Sequence, residues 1–438
     1  MRQMASPAEV HASRRKRFME SIGPRTVAVI AGRGTTHRNS DVEHRFRQPS
    51  DLLYLSGFGE PDTWAVLAPG RAKPCTLFVR PRDPERETWT GRRAGLEGAV
   101  ARFGADQAFP IDKLKEELPK LLDGADEILY VPGEDRLVDE IVNGAIASLR
   151  SGERRGMRAP TRIADLRRSL HEQRLVKDEA ALATLDRAAA VTAEAHTAAM
   201  RAARDGVMEY EIEALVDYTF RRRGGLPGYG TICGGGDNAT ILHYVDNDRP
   251  LKQGELLLID AGCELDGFTA DVTRTFPIGA RFSPAQRRLY ELVLSTEKAC
   301  IEAVRPGATV DAIHALAIER LTAGMVELGL LHGDPKALIE SGAYKRFYMH
   351  RTSHWLGLDV HDVGAYAEGG TPRPLVPGMV LTVEPGLYVP SDASEVAAEY
   401  RGIGIRIEDD ILVTSEGHRI LTAAIPKEVA DIEALSTV

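Results

Sequence analysis

The stretch LLLIDAGCELDGFTADVTRTF, residues 256–276, constrains the fold more than any other part of the chain. Its first four residues, Leu256 to Ile259, form an apolar run of the kind that makes a buried strand, yet the run ends in Asp260. Asp266-Gly267 is the dipeptide that favours a two-residue type I′ turn, because both central residues there take positive φ. A turn at that point pairs Leu265 with Phe268, Gly262 with Asp271 and Asp260 with Thr273. Side chains alternate faces along a strand, so Asp260, Gly262, Asp271 and Thr273 share one face. The two acids are then diagonal neighbours, roughly 7–8 Å apart at the backbone. Carboxylates that close can converge on a pair of cations about 3.5–4 Å apart. A slip of one residue would place them on opposite faces. Solvated acids in an exposed hairpin are the bland alternative, and the apolar run beside Asp260 argues against it: buried carboxylates are costly unless something positive meets them.

More acids and several histidines arrive late in the chain. HRTSHWLGLDVHD supplies His350, His354 and His361, and His243 lies upstream in ILHY. His350 and His354 are spaced as in the H-E-x-x-H zinc motif, but Arg351 stands where that motif has Glu, so the motif is not met. PGMVLTVEPGLY places Glu384 at the end of an apolar strand, before a Pro-Gly stop. In GIGIRIEDD, Ile403, Ile405 and Ile407 alternate with Gly404, Arg406 and Glu408, so Arg406 and Glu408 share a face. Separate strands thus deliver Asp260, Asp271, Glu384 and Glu408 at their ends or centres. Four carboxylates with one neutral imidazole suit hard-to-borderline divalent ions such as Mn2+ or Co2+ better than structural zinc. Two such ions nearly neutralise the ligand charge.

The remaining composition narrows the class. At 438 residues the chain is long enough for about two or three domains, and 43% hydrophobic residues suffice for real cores. Net charge is −9, and the one notable basic run, SRRKRF at residues 13–18, reads as a solvated helix face, which argues against nucleic acid as a partner. Cys75, Cys233, Cys263 and Cys300 are scattered with no C-x-x-C pair, so neither a disulfide framework nor a thiolate zinc site is expected. No apolar segment approaches the ~20 residues of a membrane span, and no apolar stretch follows the N-terminal charges as in a signal peptide; a cytoplasmic protein is expected.

Along the chain, TVAVIAG, TWAVLAPG, CTLFVRP and EILYVPG read as strands closed by Gly or Pro. AGLEGAVARFG and DKLKEELPKLLDG have helical spacing between them, so residues ~24–160 form an α/β domain. Residues ~165–205 are helical and make a junction. Then come the helix MEYEIEALVDYTFRRRGG, the acidic hairpin, helices around 284–304 and 309–329, and strands to the end. GYGTICGGGDN has no G-K-[ST], so it is no P-loop, and turns are expected there.

With Asp260, Asp271, His354, Glu384 and Glu408 in that order, the chain resembles the pita-bread metallopeptidases, which include methionine aminopeptidase, prolidase and aminopeptidase P. The resemblance covers essentially the whole chain. NSDVEHRFRQPSDLLYLSGFGEPDTWAVL looks like the N-terminal domain of the aminopeptidase P branch, which methionine aminopeptidase lacks; creatinase shares the two-domain layout but not the metal ligands. SHWLGLDVHDVG and ILHY are also nearer to that branch than to prolidase, although Arg351 stands where a small residue is common. The implied fold class is α/β (α+β): an N-terminal aminopeptidase P-type α/β domain over residues 1–172, then a pita-bread (creatinase/aminopeptidase) catalytic domain over 173–438.

The resemblance implies a dinuclear centre. Asp271 and Glu408 would bridge two divalent ions, Asp260 would chelate one, and His354 with Glu384 would ligate the other. Mn2+ is expected, with Co2+ and Zn2+ as alternatives. The implied activity is removal of the N-terminal residue from peptides with proline second, by attack of a metal-bridging hydroxide on the Xaa-Pro bond. Glu384 would shuttle the proton, His243 and His361 would hydrogen-bond the carbonyl or orient the proline, and His350 would line the proline pocket. Arg406 would hold Glu408 in place, and Tyr229 and Tyr388 would be pocket walls. Trp89, in ETWTGRR, would reach a neighbouring subunit's site in a homodimer or homotetramer. Partners are peptides, with neither nucleic acid nor membrane. The alternatives are prolidase, which cleaves only Xaa-Pro dipeptides, and a non-catalytic binding protein on the same fold. The intact set of five ligands argues against the latter.

Overall fold

The computed structural model describes residues 6–279 and 281–435 and divides into two units, Met1–Gln173 and Arg174–Val438. The outer ends of the two expected domains, residues 1–5 and 436–438, lie outside the described residues.

In the first unit the four apolar runs become Thr26–Ala31, Trp64–Leu67, Cys75–Val79 and Glu127–Tyr130. They are the middle of a six-stranded sheet in the order Gln107–Pro110, Cys75–Val79, Trp64–Leu67, Thr26–Ala31, Glu127–Tyr130, Arg162–Asp165. Thr26–Ala31 runs antiparallel to Trp64–Leu67 and parallel to Glu127–Tyr130. The two outermost strands carry no apolar run: partly exposed edges tolerate the proline of one and the charges of the other.

The basic run SRRKRF is only in part the solvated face expected of it: Lys16 and Arg17 are exposed, but two of its arginines are not. It lies on helix Pro7–Ile22, where Arg14 and Arg15 are 3% and 4% exposed. The Arg14 guanidinium sits 4.4 Å from the Tyr54 ring centroid, and Arg15 donates to the carbonyls of Leu55 and Gly104 at 2.9 and 2.7 Å. Their aliphatic stems are packed while each charge meets a π face or carbonyl oxygens.

In the second unit the acidic hairpin is formed with the register that Asp266-Gly267 dictates. Asp260 faces Thr273 in the pairing of Leu256–Asp260 with Thr273–Pro277, and Leu265 faces Phe268 nearer the turn. Asp266 and Gly267 have φ of 50° and 86°, as a type I′ turn requires. Between these paired stretches a Cβ on Gly262 would lie 1.7 Å from the carbonyl oxygen of Ala270, so only glycine fits the crossing. Two further sheets deliver the later acids: Val380–Val383, Asp409–Thr414 and Gly417–Ile420 form one, Gly386–Val389 and Ile403–Arg406 the other. Helices Glu179–Ala202, Glu209–Arg222, Pro284–Ala303 and Val310–Glu327 contribute buried residues to the same core.

GYGTICGGGDN is not all turn: Ile232–Gly235 is a buried strand against Leu256–Asp260, with Ile232 opposite Asp260. A Cβ on Gly234 would lie 3.0 Å from the backbone of Asn238, so glycine in this strand lets the helical turn Gly236–Thr240 fold back closely against it. Pro385-Gly386 does stop strand Val380–Val383 just before Glu384, and the chain then enters Gly386–Val389 in another sheet.

His196, on helix Glu179–Ala202, is fully buried, and its Nε2–H donates to the Ala261 carbonyl at 3.1 Å. Burial lowers its pKa from 6.5 to about 4, so the folded protein holds it neutral where the unfolded chain begins to protonate. The unfolded state then binds more protons between about pH 6.5 and pH 4, and stability falls as pH falls through that window. Urea unfolding of the metal-free protein is expected to lose about 2 kcal/mol from this group between pH 7 and pH 5. His196→Gln, which keeps a donor for Ala261, is expected to flatten that slope; an unchanged slope would refute the assignment.

Candidate metal centre

All five expected ligands line one open cavity of about 840 Å3 in the second unit, together with Tyr229, His243, His350, His361 and Arg406. Asp260 ends strand Leu256–Asp260 and Asp271 lies just before strand Thr273–Pro277, and the Tyr229 hydroxyl lies 2.6 Å from Asp260 Oδ1 and 2.5 Å from Asp271 Oδ1. One phenol proton can satisfy only one carboxylate at a time, so the convergence calls for further positive charge. His354 Nε2 lies 3.2 Å from Asp271 Oδ2 and 3.6 Å from Glu384 Oε1. Asp271, His354 and Glu408 each offer a ligand atom, all within 4.8 Å of one another. The Nδ1–H of His354 donates to the Trp355 carbonyl at 3.0 Å, which fixes the ring and turns Nε2 toward the acids.

The electrostatics fit a cation. Burial, then the neighbouring acids, push Glu408 well above the ordinary carboxylate range, and Glu384 is raised by burial with Asp271 and Asp260 adding to it. Asp271 is raised by burial in the same way, against the pull of its His354 hydrogen bond. Burial disfavours a charge on His354, but its hydrogen bond to Asp271 and the nearby Glu384 outweigh that and lift it to about 9. With hard oxygen donors in the majority and one oriented imidazole, the residues present suit two divalent ions.

Around the acids the structure adds partners that the sequence left unassigned and reassigns two that it named. Arg406 does not bind Glu408. Its Nη2 donates to Asp260 Oδ2 at 2.6 Å, Nε to Thr273 Oγ1 at 2.9 Å and Nη1 to the Tyr388 hydroxyl at 3.1 Å. Glu408 is reached through Thr273, whose hydroxyl donates to Oε2 at 2.6 Å. Tyr388 is no pocket wall: it is fully buried behind the cavity, its hydroxyl held between Arg406 and His350 Nε2 at 2.8 Å. Thr382 bridges two ligands, accepting from the His354 N–H at 3.1 Å and donating to Glu384 at 3.3 Å. Its spacing of two from Glu384 was the available signal. Asp410 accepts the Asp271 N–H at 3.2 Å.

The remaining histidines occupy the walls. His350 is half-buried, and burial followed by the charge of Arg406 lowers it to about 3, so it is neutral at pH 7. His361 is exposed over the residue as a whole, but its ring lies 4.3 Å from that of His354, and partial desolvation of the imidazole followed by that neighbour lowers its pKa. His243 is exposed on a loop. Arg351 lines the cavity and pairs with Asp311. Trp89 is not part of the lining; it lies on helix Pro84–Thr90 of the first unit, 88% exposed.

Carboxylates delivered at or beside strand ends and an oriented histidine, meeting in an open cavity, make this the centre of a metallopeptidase. Comparison with known proteins agrees. Residues 183–415 match metallopeptidase family M24, and residues 11–130 match the aminopeptidase P N-terminal domain. The chain is 43% identical over 425 residues to Xaa-Pro aminopeptidase of Escherichia coli (strain K12), covering 96% of each. The structure of Pseudomonas aeruginosa aminopeptidase PepP superposes with a TM-score of 0.97 at 47% identity, over 99% of each chain. Zinc-substituted E. coli aminopeptidase P in complex with product gives 0.95 at 42%, again over 99% of each. The chain belongs to metallopeptidase family M24, with an aminopeptidase P N-terminal domain preceding the catalytic one.

Proposed function

We propose that this chain is a metal-dependent aminopeptidase that removes the N-terminal residue from peptides with proline in second position. The observation that carries the reading is the meeting of Asp260, Asp271, His354, Glu384 and Glu408 in one open cavity. The Xaa-Pro bond is a tertiary amide without an N–H, on a ring that fixes φ, so its cleavage needs a site built for it. Asp260, Asp271, His354, Glu384 and Glu408 would together hold two divalent ions. Bound there, two divalent cations would supply a nucleophile from water at neutral pH and polarise the scissile carbonyl.

The protein's own groups do the rest. Glu384 takes a proton from the attacking water and returns it to the proline nitrogen as that nitrogen leaves. His243 and His361, on the cavity wall, donate hydrogen bonds to the carbonyl oxygen as negative charge develops there. His350, neutral and tied to Tyr388, lines the proline pocket. Arg406 holds Asp260 and, through Thr273, Glu408. Tyr229 orients both hairpin acids. The oxygen-rich ligand set favours Mn2+, with Co2+ and Zn2+ as alternatives. A cytoplasmic homodimer or homotetramer is part of the reading: the four buried cysteines are free, and exposed Trp89 is the group that would reach a neighbouring subunit's cavity.

Release of the N-terminal residue from a tripeptide Xaa-Pro-Xaa is the expected result. Cleavage of Xaa-Pro dipeptides alone would make the protein a prolidase. Full activity after exhaustive chelation would end the metallopeptidase mechanism.

A further inference from the structure

His243 sits on the loop that follows strand Ile232–Gly235 and returns to strand Leu256–Asp260. An exposed loop histidine acts on a substrate carbonyl only if the loop itself is fixed to within about 0.5 Å. The loop is anchored to one carboxylate. Glu209, the first residue of helix Glu209–Arg222, is fully buried. Its Oε1 accepts from the Gly235 N–H at 2.7 Å and from Asn238 Nδ2 at 3.1 Å, and its Oε2 from the Tyr244 hydroxyl at 2.8 Å and the Arg249 N–H at 3.0 Å.

These four donors come from just before the loop, its start, the residue next to His243, and its far end. The Glu209 N–H also donates to the Arg249 carbonyl at 3.0 Å. One turn along the same helix, Glu213 accepts from Asn247 Nδ2 at 2.9 Å, and Asn247 Oδ1 accepts the Cys233 N–H at 2.9 Å. Three N–H donors and the Tyr244 hydroxyl, which also lies 3.1 Å from Asp248 Oδ1, compensate this buried carboxylate, and each charge-assisted bond is stronger than a neutral one. Glu209 is outside the cavity lining, so its charge is spent on the loop rather than on a cation.

We infer that Glu209 is the positioning residue for His243: it sets the loop so that the imidazole meets the scissile carbonyl. The inference rests on the proposed role of His243 at the substrate. Its test is a double-mutant cycle on the full-length, metal-loaded protein, combining Glu209→Gln with His243→Ala. Gln keeps the shape but sets its NH2 against either the Gly235 N–H or the Arg249 N–H, which can only donate, so at least one clamp is lost. Glu209→Gln alone is expected to lower kcat roughly tenfold with metal content and KM unchanged, and to lower it no further once His243 is alanine. Tyr244→Phe removes one clamp only and is expected to give a smaller fall with the same dependence on His243. If Glu209→Gln does not fold, this arm decides alone.

Equal falls with and without His243, or loss of metal in Glu209→Gln, would make Glu209 a general scaffold residue and overturn the inference. A His243→Ala variant with full rate would remove the proposed role of His243 and this inference with it. A costly His243→Ala with an additive cycle removes this inference only.

Discussion

Asp271→Ala is expected to lose metal and turnover together, with kcat/KM falling at least about 10³-fold, equivalent to ~4 kcal/mol of transition-state stabilisation. Asp271 stands at the centre of the site: Oδ1 meets the Tyr229 hydroxyl, Oδ2 lies 3.2 Å from His354 Nε2, and the backbone N–H is held by Asp410. No neighbouring acid can take its place, because Asp260 is tied to Arg406 and Glu408 to Thr273. Thermal unfolding separates this from simple misfolding. Burial raises the Asp271 carboxyl, so in metal-free protein at neutral pH its charge opposes folding. The sign follows: above the unfolded pKa near 3.8 the group destabilises the empty fold, and alanine relieves that. Metal-free Asp271→Ala is therefore expected to melt at or above the metal-free parent. Added Mn2+ should raise the melting temperature of the parent far more than that of the variant. Full metal stoichiometry in the variant, measured by elemental analysis, would refute the role given to Asp271.

How much of this was legible depended on whether a residue's partner lay nearby in sequence. The hairpin was readable because Asp266-Gly267 fixes the register, and the register decides which side chains share the face of Asp260. The central strands of the first unit announced themselves as apolar runs, whereas its edge strands, half-solvated, left no such pattern. Arg406 shows the limit. Alternation correctly put it on the face of Glu408, but its ion pair is with Asp260, on another sheet and 146 positions away. A strand pattern gives the direction of a side chain and not the identity of what faces it. Tyr388 fails for the same reason, because only the tertiary fold shows it standing behind the cavity. The Gly-rich segment misled because glycine in a strand that other backbone packs closely against looks the same in sequence as glycine in a turn.

The alternation that turns Asp271 and Thr273 toward the cavity turns Arg274 away from it, and there a second large effect is expected. Arg274 is wholly buried and uses every N–H of its guanidinium. Nη1 donates to the carbonyls of Glu408 and Thr273 at 2.6 and 3.0 Å, Nη2 to Asp409 Oδ1 and the Ile425 carbonyl at 2.7 and 3.1 Å, and Nε to the Pro426 carbonyl at 3.1 Å. Burial alone would push Asp409 up, but Arg274 and then Lys427 hold it below the ordinary carboxylate range. The pair's contribution is thus present at neutral pH and is lost only in acid, as pH falls through that lowered pKa. Arg274→Met fills much of the volume but leaves a buried carboxylate with less compensation and several carbonyls without donors. Removing one partner of such a pair costs about 3–5 kcal/mol, which corresponds to a fall in melting temperature on the order of 10 °C. Adding Asp409→Asn to Arg274→Met is expected to recover part of that loss, because the charge that lost its partner is gone. Both should be measured on metal-free protein at pH 7, so that the carbonyl of Glu408, itself an acceptor for Arg274, does not bring metal affinity into the comparison. A melting temperature for Arg274→Met within about 2 °C of the parent would mean that Lys427 and Thr422, each 2.6 Å from Asp409, suffice to hold the acid without Arg274.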